Sequence, residues 1–127
     1  MAHDVFISYS TKDQALAGEI CQALEAASIR CWMAPRDVHK GKVWAEEITT
    51  AIESARVFFL LLTHSANQSQ NVFNEVSIAA DTRIPILYLR VDQVTLSKGL
   101  KYHLSAVQWM EAVSTSFQSQ SPELVEP

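Results

Sequence analysis

Glu75 is the residue of this chain best placed to do chemistry. It follows the apolar run Val57–Leu62 and a polar stretch at residues 63–70, and it lies where Val72, Phe73, Val76, Ala79 and Ala80 recur at the spacing of one helical face. At about 100° per residue, Glu75 falls at the edge of that apolar stripe, one turn after Asn71. A helix glutamate is ordinarily a solvated charge. One that faces along the rim of a sheet, into a crevice, is a candidate reacting group, because such sites shift the ionisation of a carboxyl. Other reactive sets are poorly represented. Ser8 and Ser10 have no histidine near them in sequence, and the stretch FISYSTKD lacks the repeated glycines of a phosphate-binding loop, which disfavours a Rossmann dehydrogenase. His39, His64 and His103 do not have the spacing of a metal site, so no metal is expected. Cys21 and Cys31 have no CxxC spacing and read as buried free thiols.

The elements that must position Glu75 alternate along the chain. DVFISY at residues 4–9 reads as a strand, followed by a helix capped by Thr11 with Gln14 in the capping-box position and lined by Leu16, Ile20, Ala23, Leu24 and Ala27. Residues 29–34 read as a second strand stopped by Pro35. The charged loop 35–43 contains Gly41, the only glycine between residues 19 and 98, which predicts an unusual backbone conformation there. Trp44, Ile48, Ala51, Ile52 and Ala55 share a helical side that leads into the run Val57–Leu62. That run, apolar without alternation, predicts a strand covered on both faces. A fourth strand over residues 84–91, a short helix weakened by Gly99, and an edge strand over 106–111 complete the order.

Five strands joined by crossovers of helix length make a parallel α/β sheet with right-handed connections. With the first strand central, the flavodoxin-like order 2-1-3-4-5 follows, and the order reverses between strands one and three. The crevice at that reversal should gather Phe6, Ser8, Ser10, Thr63 and Glu75, with Arg36, Asp37 and Lys40 along its border.

Length and charge bound the function classes. The chain of 127 residues is sized for one domain, with 48% hydrophobic and 19% charged residues, the balance of a folded domain. Ten Lys and Arg against fourteen Asp and Glu leave a net charge of −4, which argues against direct nucleic-acid binding. There is no apolar run of membrane-spanning length, and no basic region precedes the first apolar stretch. The expectation is a cytoplasmic protein, neither exported nor held in a membrane. Residues 113–127 are rich in Ser and Gln without period and read as a tail, or as a linker to a second domain, after a domain at 1–112.

The blocks DVFISYSTKD, RCWMAPRDVHKGKVWAEEITTAIESARVFFLLLT, NVFNEVSIAAD and LKYHLSAVQWMEA resemble, in that order, a Toll/interleukin-1 receptor (TIR) domain of the bacterial type, over roughly residues 4 to 112. The resemblance implies the flavodoxin-like sheet. It makes the loop carrying Pro35, Arg36, Asp37, Val38, His39 and Gly41 similar to the family's loop for TIR–TIR contacts. It further implies cleavage of NAD⁺, as substrate and with no other cofactor, at the nicotinamide–ribose bond. Glu75 matches the family's catalytic glutamate, with Phe6, Ser8, Ser10, Arg36, Lys40, Trp44 and Asn71 as substrate-binding candidates. Where enzymatic members often carry tryptophan four residues before the glutamate, this chain has Asn71.

Two function classes follow. The first is an NAD⁺ glycohydrolase or cyclase activated by self-assembly, the effector module of a bacterial signalling or defence protein with a fused or associated sensor domain. The second is a non-enzymatic adaptor that signals through homotypic contacts of the 35–43 loop.

Overall fold

The computed structural model describes residues 3–34, 36–38, 41, 43–104 and, for the backbone, 109–111. Its order is β1 (Val5–Ser8), a 3-10 turn (Thr11–Asp13), α1 (Gln14–Ala26), β2 (Cys31–Trp32), α2 (Trp44–Ser54), β3 (Val57–Leu62), α3 (His64–Asn67), α4 (Gln70–Thr82), β4 (Ile86–Arg90), α5 (Lys98–Leu104) and β5 (Trp109–Glu111). The strands form one parallel sheet in the order β2-β1-β3-β4-β5, the expected flavodoxin-like arrangement.

β3 is the apolar run that predicted burial on both faces, and Phe58 through Leu62 are all buried. Alternation splits them. Phe58, Leu60 and Leu62 pack with Phe6 and Tyr88 beneath α2, α4 and α5, whereas Phe59 and Leu61 pack with Ile7 and Leu89 beneath α1. Gly99 is tolerated inside α5 because of this packing: a Cβ there would stand 2.5 Å from the Phe73 ring of α4.

Several local expectations are corrected. Ser10, not Thr11, supplies the cap, accepting from the Lys12 amide, and a 3-10 turn precedes α1. The helix therefore begins at Gln14, and its buried face is Ala17, Ile20, Cys21 and Leu24, with Ala27 exposed. β2 keeps only two residues; just beyond it the Met33 amide donates to Asp37 Oδ2 at 3.0 Å. The polar stretch after β3 holds the short helix α3, capped by Thr63, and α4 is capped by Ser69. β4 starts at Ile86, two residues later than expected. Gly41 does take a left-handed conformation, with φ at 80°. Both cysteines are buried free thiols. The expected strand residues 106–108 and the tail at 113–127 lie outside the described residues.

Candidate active site

The site begins where β2 stops. β2 pairs with β1 only at Val5 and Phe6, while β1 continues along β3 to the pair Ser8 and Leu60. Beyond Phe6 the β1 edge is free of its outer neighbour, and a crevice opens at the point where strand order reverses. Phe6 and Ser8 are two residues apart and so share the face covered by α2 and α4. Phe6 is fixed as a floor: its ring stacks on its ladder partners Trp32, at 5.3 Å between centroids, and Phe58, at 5.5 Å.

Above that floor is a cavity of about 610 Å³. Trp44, Ala45, Ile48 and Thr49 of α2 make one wall, and Asn71, Asn74, Glu75 and Ile78 of α4 make the other. Tyr9, Thr11 and Gln14 stand at the end of β1, with Ala34 beside them. The Tyr9 hydroxyl donates to the Ala34 carbonyl, which ties the strand end to the loop after β2. Trp44 is 53% exposed and neighbouring Val43 is 59% exposed, so the outer lip is apolar and open to solvent.

Glu75 reaches from α4 down to β1. Its Oε1 accepts a 2.7 Å hydrogen bond from the Ser8 hydroxyl, and Ser8 itself is 1% exposed. The glutamate residue as a whole remains half-buried, its side chain bordering the cavity while its carboxyl is drawn in against Ser8. Burial pushes the carboxyl up to about 7, against the opposing effect of the Ser8 hydrogen bond. Burial, and then the Glu75 charge, also raise the Tyr9 phenol. A carboxylate of this kind can stabilise a cation that develops in the cleft, and it changes charge near neutrality.

Of the residues singled out from sequence, Phe6, Trp44, Asn71 and Glu75 line the cavity, and Ser8 lies beneath it in contact with Glu75. Ser10 is used as the cap of the 3-10 turn. Thr63 donates to Asp13 at 2.6 Å and caps α3, so it does not join them. Arg36 is directed to α1 and β2, away from the cleft. Its guanidinium binds Glu25 at 3.0 Å, Asp37 at 2.6 Å and the Cys31 carbonyl at 2.8 Å, and approaches Cys21 Sγ at 3.1 Å. Asp37 closes the same knot at the root of the loop, Val38 is half-buried and Gly41 exposed. Pro35, His39 and Lys40 lie outside the described residues.

Tyr9, Thr49, Asn74 and Ile78 were not singled out from sequence, and Gln14 only as a helix-start residue. The two on α4 had a signal: 71, 74, 75 and 78 follow the i, i+3, i+4, i+7 spacing of a single face, hidden because two of the four are asparagines. Among the described residues no cluster of three His, Cys, Asp or Glu side chains could hold a metal ion, and no helix is long and apolar enough to cross a membrane.

The fold recurs in solved structures of low sequence identity. The TIR domain of the Toll-related receptor TRR-2 from Hydra magnipapillata superposes with a TM-score of 0.79 at 17% identity, over 97% of this chain and 94% of that one. A metazoan TIR-STING receptor from C. gigas, in complex with 2',3'-cGAMP, gives 0.75 at 19% identity; 98% of this chain is covered but only 38% of the receptor. The CMP N-glycosidase BcmB of Clostridium botulinum gives 0.66 at 12% identity, over 95% and 97% of the two chains. No curated protein matches the chain in sequence. The family model for the TIR domain matches residues 5–125, nearly the whole sequence and all of the sheet that frames Glu75, and the chain therefore belongs to the TIR domain family.

Proposed function

We propose that this domain cleaves the nicotinamide–ribose bond of NAD⁺, with Glu75 as the reacting carboxylate, and that self-assembly raises its activity. The observation that carries the reading is the placement of Glu75 on Ser8, in the α4 wall of a cleft of about 610 Å³, within the size range of small-molecule sites. The fold shared with a CMP N-glycosidase supports an N-glycosidic reaction.

One carboxylate suffices for this bond. Ordinary glycosides need an acid to protonate the departing oxygen, hence two carboxyl groups. Nicotinamide needs no such acid, because its ring nitrogen is already cationic in NAD⁺ and it departs neutral. The barrier lies in the oxocarbenium-like ribose, which anionic Glu75 stabilises electrostatically. Water capture of the ribose cation yields ADP-ribose; capture by the adenosine part of the same molecule yields a cyclic product. Asn71, one turn from Glu75 on the same wall, offers hydrogen bonds to the ribose, and Trp44 on the opposite wall offers the aromatic surface that position 71 lacks.

The open lip at Val43 and Trp44 supports the assembly half of the proposal. A second copy docked head to tail would cover that lip and hold NAD⁺ over Glu75, and contacts between unlike surfaces extend into filaments when the rotation does not close. In a longer protein the domain would then act as an effector in signalling or defence, clustered by a sensor. The test is nicotinamide release across a dilution series with light scattering in parallel. Specific activity is expected to rise with protein concentration, and Asp37→Ala combined with Gly41→Val to abolish the rise. Flat specific activity from a fully active monomer would remove assembly from the account.

A further inference from the structure

Ser8 belongs to the residue set expected to touch substrate, yet its position does not suit that task. It is 1% exposed, it is absent from the cavity lining, and its hydroxyl is spent on Glu75 Oε1 at 2.7 Å. The bond joins two elements that are distant in sequence, β1 and α4, across a face where Ser8 follows the stacked Phe6 and pairs in register with Leu60. Both ends are thus held by packing, so the hydrogen bond has a defined direction.

We propose that Ser8 is a positioning residue: its hydroxyl holds the Glu75 carboxylate by one oxygen, leaves the other for the ribose, and keeps the group in its charged form. The inference rests on the NAD⁺-cleaving reading for its kinetic consequence, but not for its structural one. The physical basis is that a hydroxyl donating to a carboxylate favours the anion. Burial favours the neutral acid and is the larger influence here, so Ser8 is the counterweight. Among the described lining residues there is no other charged counterweight. From the end of β1 the group facing Glu75 is Tyr9, whose phenol is raised and therefore neutral at the pH of interest. The α2 wall presents Trp44, Ala45, Ile48 and Thr49, and α4 itself presents Asn71, Asn74 and Ile78, all without charge. Among the described lining residues, Glu75 and Tyr9 are the titratable pair.

The experiment is a pair of titrations on the whole chain. Carbon-13 NMR of the glutamate carboxyls follows Glu75 directly, with Glu75→Gln identifying its signal, and nicotinamide release against pH follows the reaction. In Ser8→Ala the Glu75 titration should move up by about one pH unit, the size expected for one hydrogen bond to a charged acceptor. The acidic limb of the rate profile should move with it, giving roughly a fivefold loss at pH 7 that is recovered near pH 9 with KM unchanged. Ser8→Thr, which keeps the hydroxyl, should restore the parent titration. Should Ser8→Ala not fold, Ser8→Cys, with its weaker donor, must shift the titration in the same direction. A Glu75 titration that stays in place in these variants overturns the proposal, whether the rate falls evenly at all pH or KM rises as for a substrate contact. If no variant releases nicotinamide, the reading of the reaction fails, while the carbon-13 titration still decides the role of Ser8.

Discussion

Glu75→Gln should lower nicotinamide release by about 10²–10³ while leaving the fold intact, the usual cost of removing one preorganised electrostatic contact. The substitution keeps the length and shape of the side chain, and the amide oxygen still accepts from the Ser8 hydroxyl, so the geometry between α4 and β1 is preserved. What is lost is the negative charge opposite the ribose. Because the loss is confined to the charged transition state, kcat should fall more than KM rises. Circular dichroism and nicotinamide quantification on the same preparation check this together, and a folded variant working at the parent rate contradicts the role of Glu75.

The same substitution should make the protein more stable above neutral pH. Glu75 has a folded-state value of about 7 against 4.5 for the free side chain, so the folded protein holds this proton more tightly than the unfolded chain does. Stability from this group is therefore fully present below about 4.5 and is lost as pH rises through about 7. The accumulated penalty above pH 7 is about 3 kcal/mol at 1.36 kcal/mol per unit, trimmed by the partial solvent access of the residue. Glutamine carries no such penalty. Urea unfolding should show parent and variant of similar stability near pH 4.5 and the variant ahead by roughly 2–3 kcal/mol at pH 8. Parallel pH dependences would mean that the carboxyl is solvated and not buried. Together the two results describe a site that trades stability for reactivity.

The sheet order and the place of Glu75 were legible because both depend on local pattern. The double burial of β3 shows in the unbroken run of Phe58 to Leu62, and the sideways aim of Glu75 follows from 100° per residue counted from Val72 and Val76. What was not legible depends on partners far along the chain. Arg36 read as a loop cation free to meet phosphates, but Glu25, eleven residues earlier on α1, and the Cys31 carbonyl hold it elsewhere. Ser8 and Glu75 were expected at one crevice and do meet there, but the hydrogen bond between them joins residues 67 apart in sequence, and neither segment alone shows that the hydroxyl is spent on the carboxylate. Ser10 and Thr63 were placed at the right end of the sheet, yet short polar side chains at strand ends are first claimed by helix starts, and both became caps.

The central claim is that a carboxylate in the wall of this cleft breaks one particular bond. Proton NMR of NAD⁺ incubated with concentrated, assembled protein tests it most directly, because nicotinamide riboside signals report the bond itself. The account predicts loss of the anomeric proton next to the pyridinium with one free nicotinamide formed per nucleotide consumed, and no such change with folded Glu75→Gln. An unaltered NAD⁺ spectrum from folded, assembled parent protein, or cleavage at the pyrophosphate in place of the glycosidic bond, would contradict it and leave the adaptor role as the better description.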